Sequence, residues 1–167
     1  KQMAQTLNYL TENGLLTYEE LKEKTEQVVK DFNALSVTIK EMESKLAANA
    51  TLQMHIINYI KTRDVYTAYR RTGYSKKFLV EHEGEIALHR AAKKAFDDLG
   101  LKTLPMIRTL RSEYAALLTQ KKQTYAEYRQ IRDNMRQMLK AKANTEQLLY
   151  GGKEAVEYEI NDHIWPN

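Results

Sequence analysis

Between His55 and His82 the chain reads HIINYIKTRDVYTAYRRTGYSKKFLVEH, its densest run of side chains able to do chemistry. Tyr59, Tyr66, Tyr69 and Tyr74 are interleaved with Lys61, Arg63, Arg70, Arg71, Lys76 and Lys77. Cations neutralise phosphates and release their counterions, while aromatic faces stack on bases, so this mixture suits a nucleic-acid strand. The candidate binding set is Arg63, Tyr66, Arg70, Arg71, Tyr74, Lys76, Lys77, Arg90, Lys93 and Lys94. A plainer reading stands beside it. Tyr59, Tyr66 and Tyr69 recur at helical spacing and can be core, with the cations solvated around them. An acidic protein partner would use the same patch.

The charge distribution singles out the same stretch. The net charge is +4. Asn58 to Lys94 holds nine Lys and Arg against four acids, a local excess of +5, while the remainder balances at −1.

Other chemistries find less support. With no cysteine in the chain, disulfides, thiolate metal sites and thiol catalysis are excluded. His82, Glu85 and His89 lie on related turns, but two histidines seven residues apart are separated by about 10 Å along a helix axis. That is too far to share one zinc ion without another element, so these read as polar-face histidines. His55 and His163 are isolated. No Gly-rich phosphate loop, nucleophile elbow or metalloprotease helix motif occurs. The chain has 11 tyrosines, any of which could be a nucleophile, but most fall at helix-seam spacing as large amphipathic fillers. No catalytic residue, metal ligand or cofactor is assigned.

The elements that must position these groups are helical. Six Gly and two Pro among 167 residues, with 29% charged, favour long helices over a sheet protein. Residues 2–12 form a short helix with Leu7 and Leu10 on one face, ended by Asn13-Gly14. Thr17-Tyr18-Glu19-Glu20 is a capping box opening a long helix over 17–72. One heptad series runs Tyr18, Thr25, Phe32, Ile39, Leu46, Gln53, Ile60; its partner runs Leu21, Val28, Leu35, Met42, Asn49, Ile56, Arg63. A helix of about 55 residues would be about 80 Å long and must bury this stripe against a partner. Asn49 and Gln53 interrupt the seam on adjacent turns, where polar residues set register.

Gly73 suits a helix C′ position and Ser75 an N-cap, giving a cap helix over 76–99 that Gly100 ends. Pro105 is tolerated in the first turn of a last long helix over 104–149. Its heptads are Ile107, Tyr114, Lys121, Tyr128, Met135 and Leu110, Leu117, Thr124, Ile131, Met138, widened by Leu118, Tyr125 and Leu139. The fold expected is all-α: two long antiparallel coiled-coil helices with a shorter helical cap, or alternatively an elongated three-helix bundle. Residues 1–150 form one helical domain and 151–167, with Trp165 and Pro166, a loosely packed tail. No apolar run approaches the roughly 20 residues that span a bilayer, so no membrane insertion is expected. The absence of cysteine fits a reducing cytoplasm. With Lys1 first and no signal peptide, the chain reads as a piece of a longer protein.

The string KTRDVYTAYRRTGYSKKFLVEHEGEIALHRAAKKAFDDLGLKTLP, Lys61 to Pro105, resembles the C-terminal region of mobilisation relaxases from conjugative transposons and integrative conjugative elements. So do the opening KQMAQTLNYLTENG and the later EYAALLTQKKQTYAEYR. The resemblance covers most of Lys1 to Leu149 and fades after Tyr150. In that family an N-terminal nuclease domain nicks the transfer origin with a tyrosine and a metal held by a histidine cluster. Neither feature has a counterpart in this chain. The resemblance therefore implies a non-catalytic part of a cytoplasmic DNA-processing protein. Its partners would be single-stranded or transfer-origin DNA, or a coupling protein and other relaxosome components. The alternative is a coiled-coil dimerisation or docking module, a homodimer included, without direct DNA contact. An independent enzyme is the third reading, and no constellation supports it.

Overall fold

The computed structural model describes residues 1–15 and 17–151. Trp165, Pro166, His163 and the rest of the tail beyond Gly151 lie outside the described residues. The chain is all-α: α1 (Gln2–Glu12), α2 (Tyr18–Arg71), α3 (Lys76–Glu81), α4 (Glu83–Asp98) and α5 (Ile107–Tyr150), with no strand among the described residues. It divides into two compact units, Lys1–Ile39 with Gln123–Asn167, and Lys40–Lys122. The two long helices contribute to both.

In the first unit the capping box forms as the sequence dictates. The Thr17 hydroxyl accepts from the Glu20 N–H at 3.2 Å, and the Glu20 carboxylate accepts from the Thr17 N–H at 3.0 Å. Two of the four N–H groups left unpaired at the helix start are thereby satisfied. The heptad residues pack antiparallel: Leu21 near the start of α2 clusters with Met138 and Ala141 late in α5. Phe32 and Ile39 cluster with Met135 and Tyr128, the Phe32 and Tyr128 rings stacked at 5.0 Å. At the end of the seam the Tyr18 hydroxyl donates to Glu146 at 2.6 Å, and that carboxylate also pairs with Lys142 at 3.2 Å. The bond to Glu146, aided by burial, pushes the Tyr18 phenol up to about 12; the same bond holds Glu146 below the usual carboxylate range. Helix α1 docks through Thr6, Tyr9 and Leu10, with Tyr9 donating to Asn134 at 3.0 Å and Asn144 donating to Thr6 at 2.9 Å. Leu7, expected on the packing face, is 65% exposed, because the docked face centres on buried Thr6 one position earlier.

In the second unit Asn49 donates to the Leu110 carbonyl at 3.0 Å and Gln53 donates to Asn49 at 2.6 Å. The polar interruption of the seam thus ties α2 to the start of α5, as expected of register-setting residues. Lys121 and Glu43 pair at 2.6 Å across the same two helices. Ile56 of α2, Ala92 and Phe96 of α4 and Leu110 of α5 form a three-helix core. The expected cap therefore folds back along α2. It is also two helices: the expected single helix over 76–99 breaks at His82 (φ −125°, ψ 30°). There the imidazole packs on Phe78 at 4.4 Å and bonds the Glu85 carboxylate at 2.9 Å. Gly84, a poor helix former, follows two residues on. The last helix starts at Ile107, leaving Pro105 just ahead of its first turn rather than within it.

The heptad series also fails at its end. Ile60 is 61% exposed and Arg63 is exposed, whereas Ile56, Thr62 and Tyr69 are buried with Tyr59 and Tyr66 half-buried between them. After Ile56 the covering helix is α4, and the buried stripe moves back by one residue to face it.

Two substitutions separate the real seam from the formal one. Ile39→Ala removes a fully buried side chain and should cost about 2–5 kcal/mol of unfolding free energy in urea. Ile60→Ala should stay within about 0.5 kcal/mol of the parent. Equal losses would restore the strict heptad.

Candidate nucleic-acid interface

The basic segment is organised by the way α2 ends. The Gly73 N–H bonds the Arg70 carbonyl at 3.1 Å, and the Tyr74 N–H bonds the Tyr69 carbonyl at 3.2 Å. This is a Schellman motif, with Gly73 at φ +67° in the left-handed region that favours glycine. Tyr74 follows at φ +61°, the one non-glycine residue with positive φ among the described residues. A Cβ crowded in that conformation costs about 1–2 kcal/mol. Against this cost stands the contact of the Tyr74 ring with Tyr69, centroids 5.3 Å apart at 84°. Apolar contact between these two positions commonly accompanies the motif. Side chains tie the turn further. The Thr72 hydroxyl donates to the Tyr69 carbonyl at 2.6 Å and accepts from the Ser75 N–H at 3.3 Å, and Ser75 caps α3 by accepting from the Phe78 N–H at 3.4 Å.

Tyr69 is the hub. It is buried, meets Tyr66 edge-on at 6.0 Å and lies nearly parallel to Phe78 at 6.1 Å. The Arg90 guanidinium carbon sits 5.6 Å from its ring centroid, and an Arg90 N–H points at its hydroxyl at 3.5 Å. A guanidinium at this range is attracted to the ring quadrupole, so Arg90 joins α4 to the end of α2.

Beside the hub, His89 is held between two tyrosines. Tyr59 and Tyr66 lie nearly parallel to its ring at 4.5 and 4.2 Å, which places them on opposite faces. Its Nδ1 is 3.0 Å from the Thr62 hydroxyl, and that hydroxyl donates to the Asn58 carbonyl at 2.6 Å. A hydroxyl has one proton, so Thr62 accepts here and the Nδ1–H tautomer is fixed. Burial pushes the His89 imidazole below its usual value, and the Lys93 charge pushes the same way. The polar-face reading of His89 is thus corrected: at 4% exposure it is a core side chain. His82 keeps a partly exposed position and pairs with Glu85 at 2.9 Å. Among the described residues no group of three potential metal ligands comes together.

The candidate residues separate accordingly. Tyr66 lies half-buried, one face against His89, so it builds the site and is not open on both faces to a base. Arg63, Arg70, Arg71, Tyr74, Lys76, Lys77, Arg90, Lys93 and Lys94 are all exposed. Lys94 pairs with Asp98 at 2.9 Å, and Arg63 lies 4.0 Å from neighbouring Asp64; exposed pairs like these contribute little. Among the described residues no carboxylate lies within ion-pair distance of Arg70, Arg71, Lys76, Lys77 or Lys93. Arg70 and Arg71 occupy the last turn of α2, where the helix dipole favours cations. The structure thus brings Arg70, Arg71, Lys76 and Lys77 to the two sides of one tied turn, with Tyr74 55% exposed within it. Sequence reasoning missed His89 and Thr62 as builders of the site. The spacing of Tyr59, Thr62 and Tyr66, three and four residues apart, was the available signal. No family model matches the chain, and neither a curated protein nor a solved structure does.

The His89 packing predicts a pH dependence. Its ordinary value is 6.5 and the folded value is lower, so unfolding takes up a proton below that pH. The stabilisation is complete above about pH 6.5 and is lost as pH falls through the folded value. Urea unfolding of the parent should show this loss, and His89→Phe should remove that component of the slope. Identical pH profiles for the two proteins would contradict the assignment.

Proposed function

We propose that this chain is the non-catalytic helical C-terminal region of a DNA relaxase of conjugative transfer or mobilisation, and that its basic, aromatic segment binds DNA. The observation that carries the reading is the group Arg70, Arg71, Lys76 and Lys77, exposed on both sides of a rigid turn and without carboxylate partners among the described residues. Like charges held close repel, and surfaces that need no partner usually intersperse both signs. A phosphate backbone supplies the missing anions and releases its own counterions on binding. The resemblance of Lys61 to Pro105 to relaxase C-terminal regions supplies the biological setting, and a cytoplasmic location follows from that setting.

A second reading is favoured by one observation. Met54, Ile60 and Leu88 are 49%, 61% and 46% exposed in the second unit, and apolar side chains of this size on helices suit docking to a coupling protein or to a second copy. Sedimentation that depends on protein concentration supports the self-association form.

Four phosphate contacts give a salt slope of about −3 on single strands and about −3.6 on duplex, a loss of roughly 50- to 150-fold in affinity between 50 and 200 mM salt. Replacing Arg70, Arg71, Lys76 and Lys77 together by glutamine should abolish the low-salt binding and flatten the slope, with the helical circular dichroism unchanged. Absence of DNA binding by the parent at 50 mM salt rejects the proposal.

A further inference from the structure

Resting on the DNA-binding reading, we infer that the site takes single-stranded DNA in preference to duplex, with Tyr74 as the side chain on which an unpaired base stacks. Tyr74 occupies a left-handed backbone position at φ +61°, where asparagine or glycine meets less strain. Burial does not account for a tyrosine there, since 55% of the residue remains exposed. Its aromatic contact is with Tyr69, which is itself buried and fixed by Phe78 and Arg90. The ring is thus held against one fixed neighbour while more than half of the residue stays exposed. Backbone strain of this kind persists where the surroundings over-determine it, and it concentrates at binding sites. The surroundings here do so through the two Schellman bonds and the bonds of Thr72 and Ser75.

The chemistry around the ring is that of a strand-binding site. Arg70 and Arg71 precede it by four and three residues, and Lys76 and Lys77 follow it by two and three. Cations on both sides hold the phosphates of consecutive nucleotides, and an aromatic ring between them meets a base. A duplex keeps its bases stacked on one another, so it satisfies the cations but not the ring. Stacking on an aromatic side chain is sequence-tolerant because every base has a π-face, so the preference is for strandedness rather than for sequence.

The test uses the full chain and three fluorescent probes of equal length: a 15-nucleotide oligothymidylate, a 15-base-pair duplex and an abasic 15-mer that carries phosphates without bases. Tyr74→Phe retains a stacking ring. Tyr74→Asn removes it while suiting the left-handed backbone. By anisotropy at 50 mM salt the parent should bind oligothymidylate more tightly than either other probe. Tyr74→Asn should weaken that binding roughly 5- to 160-fold and leave duplex and abasic affinities and the salt slope unaltered, and Tyr74→Phe should match the parent. Binding of all three probes with equal affinity, or an equal loss on all three in Tyr74→Asn, overturns the single-strand inference while leaving phosphate binding in place. Failure of the parent to bind any probe overturns the underlying DNA-binding reading instead.

Discussion

A helix of 54 residues stays helical in water chiefly where its apolar stripe is covered, because propensity and local side-chain pairs add only tenths of a kcal/mol per residue. Everything else in this protein depends on how that cover is supplied. In the first unit α5 supplies most of the cover, with α1 adding Tyr9 and Leu10 at one end, and the most buried residues of the stripe, Leu21, Thr25, Phe32 and Ile39, keep the seven-residue positions of a two-helix seam. In the second unit α4 joins α5, and the core of Ile56, Ala92, Phe96 and Leu110 is shared among three helices. Two partners require a wider apolar face than one. The buried set therefore leaves the heptad after Ile56, and Tyr59, Thr62, Tyr66 and Tyr69 turn toward α4 while Ile60 and Arg63 turn outward.

That turn decides what the basic segment can do. Were the heptad to continue, Arg63 and Arg70 would face a partner helix and would need buried counter-charges, at a cost of several kcal/mol per ion. With the stripe moved back, the tyrosines fill the interface and the cations stay in water. Tyrosine suits this boundary because its ring packs while its hydroxyl keeps a polar partner. The histidine between Tyr59 and Tyr66 completes the layer: a flat polar ring fits between two parallel aromatic faces, and Thr62 satisfies its N–H. Its depressed basicity follows from the same burial, since a charged imidazole there would sit away from water beside Lys93.

Local capping signals translated faithfully at three places, although Pro105, expected in the first turn of the last helix, falls just ahead of it. The capping box at Thr17 and Glu20, the glycine after Thr72 and the cap at Ser75 each need only a few neighbouring residues, and each formed as read. The long-range features were less legible. A heptad written on α2 alone cannot reveal that its partner changes, because the evidence lies in α4, where Ala92 is small enough to let the helices approach. The break at His82 was hidden for a similar reason. His82 and Gly84 are weak helix formers, but the contacts that settle the break, to Phe78 and to Glu85, exist only once α3 and α4 are placed. Of the candidate site, the charges were fully legible and the rings were not. Solvated cations need no partner to stay outside, whereas whether a tyrosine is core or surface depends on what packs over it.

For the proposed DNA-binding role, the tied turn lowers the cost of ordering the site. Long basic side chains lose conformational freedom when they grip a phosphate, at about 0.5–1.5 kcal/mol for each one immobilised, and a flexible loop would add the cost of ordering its backbone. Here the backbone between Arg70 and Lys77 is already fixed by hydrogen bonds at Gly73, Tyr74, Ser75 and Phe78. The aromatic hub holds this turn from beneath, and Arg90 fastens the hub to a second helix. The cost of order is therefore met during folding, by the same burial that keeps α2 helical to its end. In the proposed DNA-binding role, an anionic strand would have only side chains left to arrange.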